Sequence, residues 1–455
     1  MTTTTTGLDR GVLKLASVLV LGALAPLLDS TIVTVALHTL GSELHAPVST
    51  VQWVSTAYLL ALAIAIPITG WASNRFGAKR MWIVALALFL TGSMLCGIAW
   101  NIESLIGFRV IQGIGGGLML PIMQTLLLRA AGRDRIGRLM AVVSLPALIG
   151  PILGPVLGGV LVGHLDWRWI FYVNAPICVL AIVFAVRVLA PDPKPTAAAL
   201  DVPGLLLISP GLAAIIYALS QVGDRGGFVH PSVLIPLVAG VLLLVAFVLR
   251  KTAEPIIDLA LFRTRSFTAS TALLFLTGFA LYGAMLLLPL FYQQARGETV
   301  TAAGLLLVPQ GVGSLLARVA GGLTDRYGAR PVVLIGIALT TLGTIPFAFS
   351  GTAYWMLAIA LVIRGAGLSA VNLAVLVGAF RDLEPAQLPH ASSTTRILQQ
   401  LGGAFGAATL AVILQSQLIG HAPSAAYAHS FAWAIGFMAV AAVPALFLPR
   451  RRALE

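Results

Sequence analysis

Apolar stretches of about 20 residues recur along the whole chain, and a stretch of that length crosses a bilayer when it folds as a helix. The hydrophobic pattern contains about fourteen of them, with ends defined to about 2–4 residues. They lie near residues 12–38, 51–73, 82–100, 105–128, 139–163, 168–189, 203–222, 231–250, 268–293, 301–323, 332–350, 354–378, 392–417 and 428–448. The chain is therefore predicted to be an all-α integral membrane protein with about fourteen transmembrane helices.

Composition excludes a soluble globular protein. Of 455 residues, 58% are hydrophobic and only 10% are charged, whereas a soluble protein carries about 25% charged residues. Both cysteines, Cys96 and Cys178, lie inside apolar stretches, so neither a disulfide framework nor a thiolate metal site is expected. The first apolar stretch is too long for the core of a signal peptide and is predicted to be a retained helix.

Basic residues gather in alternate loops. One set comprises Arg75, Lys79, Arg80, Arg129, Arg133, Arg135, Arg138, Arg187, Lys194, Arg250, Lys251, Arg263, Arg265, Arg326, Arg330, Arg381, Arg450, Arg451 and Arg452, while the intervening loops hold Arg168, Arg225 and Arg296. Cytoplasmic loops are enriched in Lys and Arg. We therefore expect a multi-pass protein of the cell inner (cytoplasmic) membrane with both termini in the cytoplasm. The net charge of +12 is then a topology signal and requires no nucleic-acid partner.

One short basic loop occurs twice, as residues 70–80 and again as residues 321–331. The copies share the order small residue, acid or amide, Arg, aromatic residue, Gly and a second base, and internal repeats of this kind are common in transporters. They follow the second and the tenth apolar stretch. In a plain repeat of two six-helix bundles the second copy would follow the eighth stretch, so two helices are inserted between the bundles. The predicted units are 1–190, 191–262 for the linker with the inserted helices, and 263–455.

Asp29 is the only carboxylate deep inside an apolar stretch. A buried acid is costly unless it is paired or protonated, and an ionisable residue within a membrane is by default a candidate functional group. Arg109, in the fourth stretch, is the expected partner, because an arginine stays charged. Asp29 and Arg109 are predicted to couple transport to protons; a purely structural ion pair is the alternative.

The fifth stretch contains a dense run of glycine and proline, namely Gly150, Pro151, Gly154, Pro155, Gly158 and Gly159. Glycines at four-residue spacing allow a very close approach of a second helix. The prolines each remove a backbone hydrogen bond and bend the helix. We interpret the run as a pivot between conformations; a generic packing seam is the alternative.

Motifs for hydrolytic or metal chemistry are absent from the sequence. The seven histidines have no ligand spacing, and neither a P-loop nor an HExxH motif occurs. We therefore expect no cofactor, no metal and no enzymatic activity. Among the remaining polar residues within the apolar stretches, Gln124, Tyr282, Gln310 and Asn372 are candidates to line a substrate cavity, although packing between helices is the alternative for each.

Three motifs together resemble the major facilitator superfamily over nearly the whole chain. The repeated loop is similar to the signature between the second and third helices of that family. Arg109-x-x-Gln112-Gly113 resembles the motif of its fourth helix, and the run 150–159 resembles the fifth-helix motif of its antiporters.

Further residues resemble the branch of drug:proton antiporters with fourteen transmembrane helices. Residues 28–37 are similar to its first-helix motif and residues 166–176 to the entry of its sixth helix, while Trp53 and Tyr58 stand where its second-helix pattern lies. Tyr58 thereby joins the candidates for the substrate cavity. The resemblance implies a gate built from the two loops, with Gly70, Asn74, Arg75, Gly77, Arg80, Gly321, Asp325, Arg326 and Gly328.

Asn74 departs from the family pattern, which has an aspartate at this position. The resemblance implies that this acid helps to hold the cytoplasmic side closed, and an amide lacks its charge. Either the protein gates differently, or Asn74 is an altered residue that weakens the cytoplasmic gate. We predict the second, with an inward-open conformation favoured.

The function implied by the resemblance is proton-coupled export of drugs or other small amphipathic compounds by alternating access. A dedicated exporter of one metabolite, siderophore or lipid is the alternative, because fold does not fix substrate. An integral-membrane enzyme would require a cluster of catalytic groups that the sequence lacks. No motif indicates oligomerisation, so the expected partners are the bilayer, protons and the substrate, with the protein acting as a monomer.

Overall fold

The computed structural model of the chain describes residues 10–46, 48–131, 154, 157–158, 160–192, 199–222, 227–250, 252, 255–317, 319–349, 351–381, 383–384 and 387–448. Within these ranges the regular elements are all helical, as the apolar stretches predict. The helices of the first half are α1 (Arg10–Glu43), α2 (Val48–Ala65), α3 (Ile68–Phe76), α4 (Ala78–Gly97), α5 (Ile102–Ala131), α6 (Trp169–Tyr172) and α7 (Asn174–Val188).

Two helices follow alone, α8 (Val202–Gln221) and α9 (Pro231–Leu249). The second half comprises α10 (Arg265–Leu290), α11 (Val300–Leu306), α12 (Val308–Leu316), α13 (Val319–Tyr327), α14 (Ala329–Thr344), α15 (Tyr354–Phe380), α16 (Leu388–Gly420), α17 (Pro423–Val440) and α18 (Ala442–Ala445). Short 3₁₀ segments, Leu259–Arg263 and Ile345–Ala348, and a π-helical turn, Phe291–Ala295, connect them.

Eleven helices of the described residues are long and apolar enough to cross a membrane, or twelve when the bent pair α2 and α3 is counted as one. This confirms the prediction of a helical, multi-pass membrane protein. The predicted tenth span corresponds to the three short helices α11, α12 and α13. Most of the fifth predicted span, 139–163, lies outside the described residues.

The predicted second span, 51–73, is broken rather than continuous. Its two helices meet at an angle of 55° around Pro67, which precedes α3. Proline has no backbone N–H to donate and its ring crowds the preceding turn, so a continuous helix is interrupted there. Hydropathy alone does not register such a bend.

The two repeated loops run from the end of α3 into α4 and from the end of α13 into α14, with a turn at Gly77 and at Gly328. The face that carries them is called the basic face below. One large cluster of buried apolar side chains includes residues of both halves, such as Leu19 and Leu127 from the first half and Phe267 and Val375 from the second. Towards the opposite face each half has a separate cluster, around Phe171 in the first half and around Phe291 in the second. Apolar packing thus joins the halves near the basic face.

The inserted helices α8 and α9 pack on each other, and α8 bridges the two halves. Against the first half, the Ser209 hydroxyl donates to the Ile64 carbonyl at 2.9 Å, and the rings of Trp53 and Tyr217 stack 5.7 Å apart. Against the second half, Ile215 and Leu219 belong to the same apolar cluster as Ala408 of α16. The inserted pair therefore covers the seam between α2 and α16.

An ion pair fixes the start of α8. The Arg250 guanidinium lies 2.6 Å from the Asp201 carboxylate, which caps α8 by accepting from the Gly204 amide. Burial by itself raises the pKa of the Asp201 carboxyl, but the hydrogen bonds from Arg250 and from the Gly204 and Ile256 amides lower that pKa overall. Asp201 consequently stays ionised and anchors both inserted helices at one end.

Candidate functional site

Asp29 lies on α1 with no exposed surface, and its carboxylate accepts hydrogen bonds from side chains of two other helices, α5 and α7. Its Oδ2 atom lies 2.5 Å from Nη1 of Arg109 on α5. Its Oδ1 atom accepts from the Gln112 amide at 2.8 Å and from the Asn174 amide at 3.2 Å. Both carboxylate oxygens therefore have hydrogen-bond donors, and Arg109 provides a counter-charge, which offsets much of the cost of burial.

Arg109 is held in place by groups besides Asp29. Its Nε atom donates to the Val54 carbonyl at 3.0 Å, and Nη1 also donates to the Gln112 side-chain oxygen at 2.7 Å. Its guanidinium carbon lies 4.1 Å from the centre of the Tyr58 ring. This spread of contacts uses the planar fork of the guanidinium, which a lysine could not reproduce.

A third layer of contacts comes from α4 and α7. The Ser93 hydroxyl donates to the Phe171 carbonyl at 2.9 Å and accepts from Gln112 and from Asn174. The sequence motif of the fourth stretch contains Gln112 together with Arg109, but sequence reasoning gave Ser93 and Asn174 no role. Small polar residues are common in membrane helices, and only the approach of these two helices shows that they converge on Asp29.

The arrangement can respond to a proton. A protonated Asp29 would carry a donor where it now accepts, and Arg109, which retains its charge, would lose its counter-charge. Either change disturbs contacts from α2, α4, α5 and α7 together. The group of Asp29, Arg109, Gln112, Asn174 and Ser93 is called the proton-site cluster below.

The candidates for the substrate cavity occupy different surroundings. Tyr58 is 1% exposed and lies under Arg109, so in this conformation it belongs with the proton-site cluster and lines no open cavity. Gln310 accepts from Arg364 at 2.6 Å within the second half. Tyr282 lies half-buried against Gly403 of α16, and Asn372 is half-buried on α15. The half-buried Gln124 has a side-chain oxygen without a hydrogen-bond partner among the described residues.

The first repeated loop contacts the second half of the chain. The Asn74 side-chain oxygen accepts from Arg129 at 3.2 Å, and its nitrogen lies 3.5 Å from Nε2 of His390 at the start of α16. Gly70 packs against the His390 backbone, and Thr125 lies 3.4 Å from Ser392. The basic face is closed by these contacts, and the inward-open arrangement expected from Asn74 is not the one that this structure adopts.

A carboxylate outside the predicted gate orders the rest of the first loop. Asp192, after α7, accepts from the backbone amides of Lys79 and Arg80 at 2.8 and 3.1 Å, at the start of α4. Gly77 has a φ of 92°, and a side chain there would collide with Asp192. The side chains of Arg75 and Arg80 are exposed. Sequence reasoning missed Asp192.

The second repeated loop has the same backbone turn as the first. Gly328 has a φ of 87°, in the left-handed region that favours glycine. The guanidinium of the exposed Arg326 lies 5.2 Å from the centre of the Tyr327 ring. Gly321 and Asp325 lie on α13, but their side chains are outside the described part of the structure.

Of the glycine and proline run, Gly154 and Gly158 are described, while Gly150, Pro151, Pro155 and Gly159 lie outside the described residues. Both described glycines are buried against α1. A side chain at Gly154 would collide with Thr31, and one at Gly158 would lie 3.2 Å from the Ile32 carbonyl. The fifth span therefore approaches α1 within one turn of Asp29.

Gly154→Leu is expected to disrupt transport, because a Cβ atom at this position would lie 2.6 Å from the Thr31 Cβ atom. Forcing a larger side chain into such a contact costs about 1–3 kcal/mol and displaces α1. Export rate and proton leak in proteoliposomes measure the effect. Gly163→Leu is the matched control, since nothing lies within 4 Å of a side chain there. Equal transport by the two variants would exclude a pivot at Gly154.

Comparison with known proteins gives one family. The family model of the Major Facilitator Superfamily matches residues 19–407 and 319–454. The Multidrug resistance protein B homolog of Mycobacterium tuberculosis is 38% identical over 418 residues, covering 90% of this chain and 77% of the relative. The Multidrug export protein EmrB of Haemophilus influenzae is 31% identical over 394 residues, covering 83% and 76%. The Lincomycin resistance protein LmrB of Bacillus subtilis is 27% identical over 455 residues, covering 95% of both chains.

Solved structures match across almost the whole chain. The proton:xylose symporter XylE, bound to a bromodeoxyglucose, has a TM-score of 0.67 at 18% identity and covers 97% of this chain and 96% of its own. The human organic anion transporter MFSD10 has a TM-score of 0.64 at 16% identity, covering 94% and 100%. At these identities the likeness concerns the fold.

Proposed function

This chain belongs to the Major Facilitator Superfamily, and we propose that it exports drugs or other small amphipathic compounds across the cytoplasmic membrane in exchange for protons. It is a multi-pass membrane protein of a transporter family. The relatives named above are called multidrug resistance, multidrug export and lincomycin resistance proteins. Their names support export as the direction of transport.

The proton-site cluster is the observation that carries the proposal. Asp29 is completely buried and ion-paired with Arg109, and α1 has no other carboxylate, lysine or arginine between Lys14 and Glu43. A purely structural role is a weak explanation, since replacing a buried ion pair with apolar residues is often neutral or stabilising. If the carboxylate must alternate between charged and neutral forms, a functional role accounts for the desolvation cost of the buried ion pair.

In our proposal, the described conformation has an ionised Asp29 and a closed basic face. Separation of α1 from α5 would remove the Arg109 counter-charge from Asp29, which favours the protonated acid, and would admit the water that delivers the proton. The protonated acid no longer compensates Arg109, so the cluster rearranges and favours the alternate conformation. Substrate would occupy the space between the halves, where Gln124 offers an unused acceptor.

The orientation and assembly belong to the same proposal. The basic face would lie in the cytoplasm together with both termini, in the cell inner membrane, because that face collects the positive loops. The units 1–190 and 263–455 would move relative to each other, with 191–262 as the connecting pair. The protein would act as a monomer. A dedicated exporter of one metabolite, siderophore or lipid remains the second candidate.

Transport in proteoliposomes tests the proposal. Protein is reconstituted, a pH gradient is imposed, and uptake is followed for a panel of amphipathic compounds that differ in charge and size. Accumulation that disappears when an ionophore collapses the gradient is the expected result. Transport of several unrelated compounds supports a multidrug exporter, whereas transport of one compound class supports the dedicated carrier. An uptake rate that is the same with and without the pH gradient would contradict proton coupling.

Asn74→Asp is expected to stabilise the closed basic face. The present hydrogen bond from the Arg129 guanidinium to the neutral amide oxygen would become an ion pair, and such a pair near a protein surface contributes up to about 1 kcal/mol. Since about 1.4 kcal/mol changes an equilibrium tenfold, the ratio of closed to open protein should rise severalfold. Distances between spin labels at the exposed positions Phe76 and Glu384 report the closure.

Two features of the chain allow selective labelling and a matched control for that distance measurement. The native Cys96 and Cys178 are buried, so labelling is directed to the introduced cysteines. Asn101→Asp is the matched control, because Asn101 lies at the opposite end of the bundle, where it accepts from the Ser104 amide. Identical distance distributions for Asn74→Asp and the unmodified protein would show that Asn74 does not determine the conformation.

A further inference from the structure

The second half contains a buried cation that the transport cycle described above does not use. Arg364, on α15, is 3% exposed. Nη1 donates to the Gln310 side-chain oxygen at 2.6 Å and Nη2 donates to the Ala280 carbonyl at 3.3 Å. Among the described residues no carboxylate forms an ion pair with it, although a buried guanidinium without counter-charge is unfavourable.

Helix packing identifies the counterpart of Arg364 in the first half. In the first half, a side chain at Gly92 of α4 would meet the Gln112 backbone; in the second, one at Gly343 of α14 would meet the Arg364 backbone. The next residue of each helix, Ser93 and Thr344, is a hydroxyl residue. Arg364 therefore occupies the position that Gln112 occupies in the proton-site cluster.

A second pair of contacts gives the same register. Gly113 of α5 packs against the Tyr58 carbonyl, and Gly365 of α15 packs against the Gln310 carbonyl. Gln310 is thus the counterpart of Tyr58. Both halves use the same two positions to place polar side chains in the interior, and the repetition extends from the loops to this buried site.

The two sites differ in what their polar groups face. In the first half they face the carboxylate of Asp29. In the second half Arg364 and Thr344 border a small internal cavity, whose walls also include Phe279, Ala284 and Phe431. The cavity has a volume of about 10 Å³, which is room for one particle of about the size of a water molecule.

We propose that this cavity binds a monatomic anion of chloride size, which supplies the counter-charge for Arg364. The guanidinium stays charged under all ordinary conditions, so the site has a permanent preference for negative charge. The volume excludes a carboxylate-bearing compound in this conformation. The hydroxyls of Thr340 and Thr344 already donate to backbone carbonyls of their own helix, which leaves Arg364 as the anion's principal ligand.

Thermal unfolding of the detergent-solubilised full chain tests the site. Chloride is titrated against gluconate, which is too large for the cavity, at constant ionic strength. A bound anion stabilises the folded state by mass action, so Tm is expected to rise with chloride and to saturate. Arg364→Met should remove the chloride-specific rise. Arg396→Met is the matched control, since Arg396 is also a helical arginine bonded to a glutamine, Gln399, and that variant should keep the rise.

A direct measurement covers the case in which Arg364→Met does not fold. Bromide is soaked into crystals of the unmodified protein, and its anomalous signal is located. A peak between Arg364 and Thr344 supports the proposal. Equal Tm values in chloride and gluconate, or a cavity that holds only water while bromide binds elsewhere, would overturn it. A rise lost equally in Arg396→Met would also overturn it, because the anion would then act at another place. None of these measurements depends on export.

Discussion

Asp29→Asn is expected to reduce gradient-driven export to the background of empty liposomes. Asparagine has nearly the same shape and keeps one acceptor oxygen, so the contact with Arg109 or Gln112 survives in part. Arg109 nevertheless loses its counter-charge, so the variant is expected to be less stable than the unmodified protein. Asparagine cannot bind and release a proton, and the step that links protonation to rearrangement is lost. Export of a transported compound in proteoliposomes, with an imposed pH gradient, measures the loss.

The control for this prediction is Asp166→Asn. Asp166 also pairs with an arginine, Arg168, at 3.3 Å, but its side chain is 51% exposed in a loop, so the pair contributes little. That variant should export at the normal rate. Asp29→Asn should retain exchange of labelled for unlabelled substrate without a gradient. Normal uphill export by Asp29→Asn would remove Asp29 from the coupling mechanism.

Arg109→Met is expected to destabilise the protein by about 3–5 kcal/mol, because it leaves the Asp29 carboxylate buried without its counter-charge. Arg109→Lys should rescue little, since one ammonium nitrogen cannot serve Asp29, Gln112 and the Val54 carbonyl together. Unfolding in denaturing detergent measures the change.

The double variant Asp29→Asn with Arg109→Met separates stability from function. With both charges removed, no buried charge is left uncompensated, and much of the stability lost in Arg109→Met should return. Export should remain absent, because the proton-binding group is missing. If the two substitutions simply add in their effect on stability, Asp29 and Arg109 do not interact energetically and the proton-site cluster is not a coupled unit.

The sequence was sufficient for the centre of this cluster and insufficient for its surroundings. Asp29 stands out because a lone acid within an apolar stretch needs an explanation, and Arg109 follows as the basic residue in a neighbouring span. Ser93 and Asn174 do not stand out, since either could equally serve helix packing. Their role depends on the distances between α1, α4, α5 and α7, which no pattern along the chain specifies.

Elements that cross the membrane were predictable, whereas their irregularities were not. Hydrophobic length locates the spans, but α2 and α3 are separated by a bend at Pro67, and the stretch 301–323 is divided among three short helices. Hydropathy sums over residues and is insensitive to backbone direction. His390 could not be predicted for a similar reason. The sequence places it near a helix start, and only the structure shows that it lies beside Asn74.

The position of α8 determines how lipid-soluble molecules approach the protein. α8 is hydrogen-bonded to α2 and packs on α16. Its partner α9 has exposed apolar side chains on its outer face, such as Leu242 and Leu249. At this seam a compound that diffuses in the bilayer contacts two layers of helix, first α9 and then α8. The two inserted helices therefore separate the seam between α2 and α16 from the bilayer on this side, and we expect a lipid-soluble compound to enter on another side or from water.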